Sequence, residues 1–456
     1  MIRTKAYRDA MEQLRDVNNK IKNNKTKSKE LESEKKKALS VLNNLRIQYG
    51  INEYAFHNDV KSMQHHFKNN IDSFTAQKIA TRLWNAYEDL IFGDGKDINY
   101  RRFGTFNSFE GKSNNTGIKI KDGSLVWNGL NIPVKIDFNN PYESTAMLNK
   151  IAYCRIVRKY VRNKYKFYVQ IVFKGAVPNK IDAKTGVIKH YIGSGVVGLD
   201  IGTQTVAISS KTDVKIYELA DKAQNIENEK RRILRKMDRS RRAMNPNNFN
   251  SDGTIKKQGN KKVIWNRSNH YIKSQYQLKE LYRKQADVRK LQHEIMANQI
   301  LALGDTVYVE TMSFKGLQKK TKKTEKNDKG KFKRKKRFGK SIANKAPSMF
   351  LNILDRKLKR YGTRLNKIDT WSVKASQYNH VEDTAKKKKL SQRWNDIDGK
   401  RVQRDMYSAF LIMNVTDDMK SIDRDRCSEQ YENFIRLHDI EVERLSGNKN
   451  LSSIAI

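Results

Sequence analysis

Gly195-Val196-Val197-Gly198-Leu199-Asp200-Ile201-Gly202-Thr203 is the stretch on which the reading of this chain turns. Val196 to Ser209 has the composition of a strand, a tight turn at Gly202 and a returning strand, so Asp200 falls inside an apolar strand. A carboxylate there is costly unless something compensates it, and a bound cation is the usual compensation. Two further acids share the pattern. Glu310 closes Val307-Tyr308-Val309-Glu310, and Asp405 lies in Val402-Gln403-Arg404-Asp405-Met406-Tyr407-Ser408-Ala409. Each has an ordinary reading when taken singly. An Asp after four apolar residues is common, a strand-end Glu is usually solvated, and a helix Asp is usually a surface charge.

The acids stand out against a very basic background. Lysine and arginine number 93 against 49 aspartates and glutamates, a net charge of +44 over 456 residues. Such a surplus attracts polyanions, nucleic acid first and an anionic membrane surface second. No apolar run nears the roughly 18 to 20 residues that span a bilayer, and no signal-peptide pattern opens the chain, so membrane spanning is excluded and nucleic acid rather than a membrane is the expected partner. Only Cys154 and Cys427 are present, which leaves no disulfide framework and no four-cysteine zinc site. A reducing, cytoplasmic and nucleoid-associated setting is expected.

Working outward, residues 1–97 read as a helical domain. Leu14, Val17 and Ile21 repeat at helical spacing, as do Leu31, Leu42 and Leu45, with Gly50 as a stop. Residues 98–190 change period: Ile118 to Lys121 runs into an Asp122-Gly123 turn, and two alternating runs flank Asn163-Lys164. An antiparallel sheet or small barrel is expected there. Residues 191–347 carry the Asp200 strand, a basic helix over 226–244, a long helix with Leu278, Leu281, Val288, Leu291 and Ile295 on one face, and the Glu310 strand. A lysine-rich lid over 319–340 cannot bury a core. A helix and a strand follow over 348–371, then 372–401, an amphipathic helix within 402–420 and a tail over 421–456.

Phosphodiester hydrolysis needs a non-bridging oxygen held, a water ionised and a leaving oxygen neutralised. Two divalent ions about 3.5–4 Å apart do all three, and Mg2+ asks only for a few carboxylates on rigid elements. The order of strand Asp with a glycine two residues on, strand Glu followed by Met312-Ser313-Phe314-Lys315-Gly316-Leu317, then Arg404-Asp405 at a helix start resembles the three RuvC motifs of TnpB proteins. These are transposon-encoded nucleases related to the type V CRISPR effectors. The likeness covers about 195–415 of this chain. It implies an α/β C-terminal RuvC or RNase H-like nuclease domain with helical insertions. It further implies an N-terminal α+β half made of a helical recognition domain and a β-rich wedge-like domain. Asp200, Glu310 and Asp405 match the catalytic, metal-binding triad, and the implied cofactor is Mg2+, as two ions, with Mn2+ as a substitute. The implied partners are a guide RNA and double-stranded target DNA bearing a short adjacent motif, with monomer or homodimer left open.

One departure concerns zinc. The family carries two Cys-x-x-Cys pairs between the second and third motifs, yet 311–404 holds no cysteine, so no zinc is expected. The region 372–401 keeps Tyr378, Arg393 and Trp394 for loading the target strand, with Trp394 readable either as a base-stacking side chain or as core. His380 with Asp383 reads as a surface histidine before a ligand pair. Arg231, Arg235, Arg239 and Arg242 on the basic helix, Lys333 and Arg334 in the lid, and Arg393, Trp394 and Arg404 are the expected nucleic-acid contacts. Three other readings remain: a nuclease-inactive RNA-guided repressor, a DNA transposase with the same acids, and an actin- or sugar-kinase-like ATPase. The last also needs a glycine pair for adenosine, and no two adjacent glycines follow Gly202.

Overall fold

The computed structural model describes residues 1, 4–23, 29–93, 95, 97–102, 104–162, 164–256, 259, 263–319, 324–325, 338–389 and 392–446. They form two compact units, Met1–Thr185 and Gly186–Ile456, dividing a little before the 190/191 boundary expected from the sequence. The first opens with helices α1 (Lys5–Asn23), α2 (Lys29–Gln48), α3 (Glu53–His66) and α4 (Ser73–Phe92). Tyr7, Ala10 and Leu14 of α1 meet Ala38 and Leu42 of α2 and Ile91 of α4, the packing that helical periodicity anticipates. Asn52 and Asp72 cap α3 and α4 by accepting from the Ala55 and Thr75 amides.

Strands β1 (Ser108–Glu110), β2 (Lys119–Lys121), β3 (Ser124–Trp127) and β4 (Leu130–Pro133), the short helix α5 (Pro141–Met147), and strands β5 (Ile151–Val161) and β6 (Lys164–Phe173) complete this unit. They make two three-stranded antiparallel sheets, ordered β1-β5-β6 and β2-β3-β4, and among the described residues neither closes into a barrel. Asp122 and Gly123 both have positive φ, the geometry of a tight hairpin turn between β2 and β3.

The second unit is built on β7 (Val196–Ile201), β8 (Thr205–Ser210) and β9 (Val214–Glu218), followed by α6 (Ala223–Met244) and α7 (Asn269–Leu303). Next come β10 (Thr306–Glu310), α8 (Phe314–Leu317), α9 (Gly339–Lys345), α10 (Pro347–Lys359), β11 (Leu365–Ile368) and α11 (Thr370–Val373). Two small hairpins, β12 (Tyr378–Asn379) with β13 (Thr384–Ala385) and β14 (Trp394–Ile397) with β15 (Lys400–Gln403), precede α12 (Arg404–Met413) and α13 (Arg424–Ser446). The central sheet is mixed and ordered β11-β10-β7-β8-β9, with β7, β10 and β11 parallel and β8 antiparallel to both neighbours. The parallel pairs need crossovers, which the helices provide.

Strand alternation sorts the two faces. Val197, Leu199, Ile201, Val307 and Val309 pack with Ile300 of α7 and Phe350 and Leu354 of α10. Gly198 and Asp200 therefore point the other way, as do Tyr308 and Glu310, toward the face covered by α12 and α13. A Cβ on Gly198 would run into the Ala409 carbonyl and the Met413 amide, so this glycine lets the α12 backbone lie directly on β7.

Three expectations change. Leu291 and Ile295 of α7 are 61% and 49% exposed; Leu281 of the expected face is buried, but the buried side continues through Gln285, His293, Met296 and Ile300. Gln285 and His293 can sit inside because each finds a polar partner, the Lys230 ammonium at 2.8 Å and the Lys345 carbonyl at 2.9 Å. Helix α12 is buried from Met406 through Met413 rather than amphipathic, since the sheet lies on one side and α13 on the other. The segment expected as a tail contains α13, whose buried Glu441 accepts the Ile216 amide at 2.9 Å and so satisfies the outer edge of β9. Among the described residues no helix is long and apolar enough to cross a membrane.

Candidate active site

Val309 of β10 lies opposite Leu199 of β7, so the next residues along, Glu310 and Asp200, are neighbours on adjacent parallel strands facing α12. Asp405 enters from the first turn of α12, where Gln403 caps the helix by accepting the Met406 amide at 2.8 Å. A carboxylate in that turn is favoured by the helix dipole. The fold thus brings the three acids of the sequence reading into one electrostatic neighbourhood.

Their environment is costly for three negative charges. Asp200 keeps some accessible surface, yet burial of its carboxyl, then Asp405, then Glu310 push its pKa well above the usual carboxylate range. Arg404 pulls the other way, as does the Ser408 hydroxyl, which approaches without closing a hydrogen bond of normal geometry. Glu310 is 8% exposed, and burial raises its pKa to about 7 against the opposing pull of the Ala375 amide. Its Oε1 is buried with no hydrogen-bond partner.

Asp405 has partners of its own. Arg404 donates to its Oδ1 from Nε at 3.1 Å and Nη2 at 3.0 Å, and Arg393 donates to its Oδ2 from Nη1 at 3.4 Å. Arg404 also ties down the preceding loop, donating from Nη1 to the Gln392 carbonyl at 3.0 Å. Among the described residues no group of three or more His, Cys, Asp or Glu side chains is gathered as metal ligands. The donor set nevertheless suits a hard cation. It is all carboxylate, one oxygen is orphaned, and the excess negative charge at Asp200 is what a divalent ion would relieve.

The nucleic-acid residues separate into groups. Arg231, Arg235, Arg239 and Arg242 follow one another at helical spacing and are all exposed on α6. Arg242 donates to Asp238 at 2.9 Å and lies over the Phe249 ring, while Arg231 stands 3.7 Å from Glu227. Lys333 and Arg334, with most of the lid, lie outside the described residues. Arg393 and Arg404 both pair with Asp405, Arg404 largely buried and Arg393 partly exposed. Trp394 is half-buried, with the Arg401 guanidinium 4.6 Å from its ring and His438 edge-on.

His380 corrects the sequence reading, because it is buried rather than on the surface. Its Nδ1 lies 2.6 Å from the Tyr407 hydroxyl, and burial lowers its pKa to about 4, so it stays neutral. Arg424 of α13 donates to the His380 and Val381 carbonyls at 3.0 and 3.1 Å, and Asp383 accepts from Tyr378 at 2.6 Å. Hydrogen bonds thus hold the first hairpin onto α12 and α13. Sequence reasoning also passed over Trp371, 84% exposed on α11 directly after β11. Its only sequence signal was a tryptophan just past a strand end.

The molecule is therefore a mixed α/β protein with three acids converging on one face of a five-stranded sheet. No family model and no curated protein matches the chain. Among solved structures it is similar to one described as a cryo-EM structure of the Cas12f1–sgRNA–target DNA complex. That match has 11% identity and a TM-score of 0.37, and it covers 89% of this chain and 79% of the other.

Proposed function

We propose that this protein is an RNA-guided DNA endonuclease of the TnpB-like kind, dependent on Mg2+ and built without structural zinc. The observation that carries the reading is the in-register placement of Asp200 and Glu310 on the sheet face crossed by the helix that bears Asp405. A five-stranded mixed sheet with acids on adjacent parallel strands and on a helix packed across it fits a split RNase H-like domain. Asp200, Glu310 and Asp405 would hold the metal, which when bound supplies the positive charge that phosphodiester hydrolysis requires.

The chain's other residues bind and position. Arg231, Arg235, Arg239 and Arg242 present a row of guanidinium groups suited to a phosphate backbone. Such a row grips a guide or heteroduplex by shape and leaves the reading of sequence to base pairing. Arg404 and Arg393 pair with Asp405 and offset its charge. The test is cleavage of guide-matched DNA in Mg2+ by wild type, Asp200→Ala and Glu310→Ala, with RNA and DNA binding measured alongside. Both variants are expected to bind and not to cut.

The guanidinium clamp on Asp405 favours a second reading, in which the protein binds RNA and DNA but does not cut. Guide-dependent DNA binding with no Mg2+-dependent cleavage by the wild type would select it.

A further inference from the structure

We infer that Trp371 is a stacking platform for a nucleobase of the strand held at the acidic centre, an inference that rests on the nuclease reading above. The other four tryptophans are buried or half-buried, and each has a ring, cation or carboxylate partner. Trp84 meets Arg46, Trp127 meets Asp72 and Phe109, Trp265 meets Arg241 and Phe249, and Trp394 meets Arg401. Trp371 is 84% exposed and makes no ring or cation contact among the described residues. Tryptophan is rarely left this bare, because its large apolar surface is stabilising when covered.

The turn that carries it is fixed on both sides of Glu310. Thr370 donates from Oγ1 to the Thr311 carbonyl, one residue past Glu310, at 2.8 Å. On the other side the Ala375 amide bears on the Glu310 carboxyl itself. Between these points Asp369 accepts from the Trp371 amide at 3.3 Å, Ser372 donates to the Asp369 carbonyl at 3.0 Å, and Val373 and Ala375 are buried. The backbone is therefore anchored while the indole projects. Lys374, exposed at the end of the same short helix, adds positive charge suited to phosphates. An exposed aromatic with a lysine close by in the chain, on the turn that packs against a carboxylate strand, matches the way proteins hold single strands.

The experiment uses the full chain without metal. Two single-stranded oligonucleotides of equal length are titrated, one of thymidines and one abasic, and tryptophan fluorescence is followed. The thymidine strand should quench wild type more than the abasic strand, and Trp371→Phe should lose most of that difference while still binding both. A difference unchanged in Trp371→Phe would overturn the proposal. Cleavage gives the second readout. Trp371→Ala should cut about 5- to 100-fold more slowly, the range expected for one lost base stack, and Trp371→Tyr should restore most of the rate. Cleavage by Trp371→Ala at the wild-type rate defeats the stacking role and leaves the nuclease reading standing. Base-dependent quenching by a wild type that cuts nothing does the reverse.

Discussion

Glu310 occupies a position where a neutral side chain would suit the fold better. Its carboxyl is buried, one oxygen lacks a partner, and Asp200 beside it is crowded by the same charges. Burying such groups without compensation costs stability that function then justifies. Glu310→Gln should therefore stabilise the metal-free protein, by about 1–3 kcal/mol, while removing cleavage. Thermal unfolding in EDTA and in Mg2+ checks this: the wild type should gain stability from Mg2+, and the variant should gain less. Asp200 and Glu310 were legible because an apolar run around a single acid is a local signal. Trp371 was not, because exposure depends on which surfaces the rest of the chain leaves uncovered.

Among the elements, four strands of the central sheet could be read from their composition and the edge strand β9 went unread, whereas the helices around it were only half legible. The β7 and β8 pair follows the Gly202 turn as its sequence suggests. The buried side of α7 followed the leucine pattern only at Leu281, because Gln285 and His293 take core positions through partners far away in sequence. Helix α12 looked amphipathic because its register against two layers is a tertiary fact. His293 gives a test at this scale. Burial pushes its pKa from 6.5 to about 4, aided by Arg289 and Lys345 and opposed by its hydrogen bond to the Lys345 carbonyl, with Phe350 packed on the ring. Between those values the unfolded chain binds a proton that the folded chain excludes. The contribution is full above pH 6.5, falls as the pH drops toward 4 and is constant below. About 3 kcal/mol is at stake. Urea unfolding at pH 7, 5.5 and 4.5 should show wild type losing stability faster than His293→Gln, and parallel losses would remove His293 as the cause.

For the whole molecule the governing quantity is a charge of +44, which is enough to expect a polyanionic partner but silent about how it is read. Affinity for RNA should collapse with salt. If six to ten phosphates are neutralised, binding should weaken by about 10³–10⁵ between 50 and 200 mM KCl, and Arg235→Ala with Arg239→Ala should flatten the slope by roughly one to two. A slope unchanged in that double variant would mean that the α6 row does not face phosphate. The central claim is tested most directly on protein purified from cells expressing its native locus. Co-purified RNA is identified, and matching DNA with a randomised flank is incubated with Mg2+ and wild type or Asp200→Ala. The account predicts a discrete bound RNA in both, and guide-dependent cuts made by the wild type alone. Cuts made equally by Asp200→Ala, or no bound RNA at all, would contradict it.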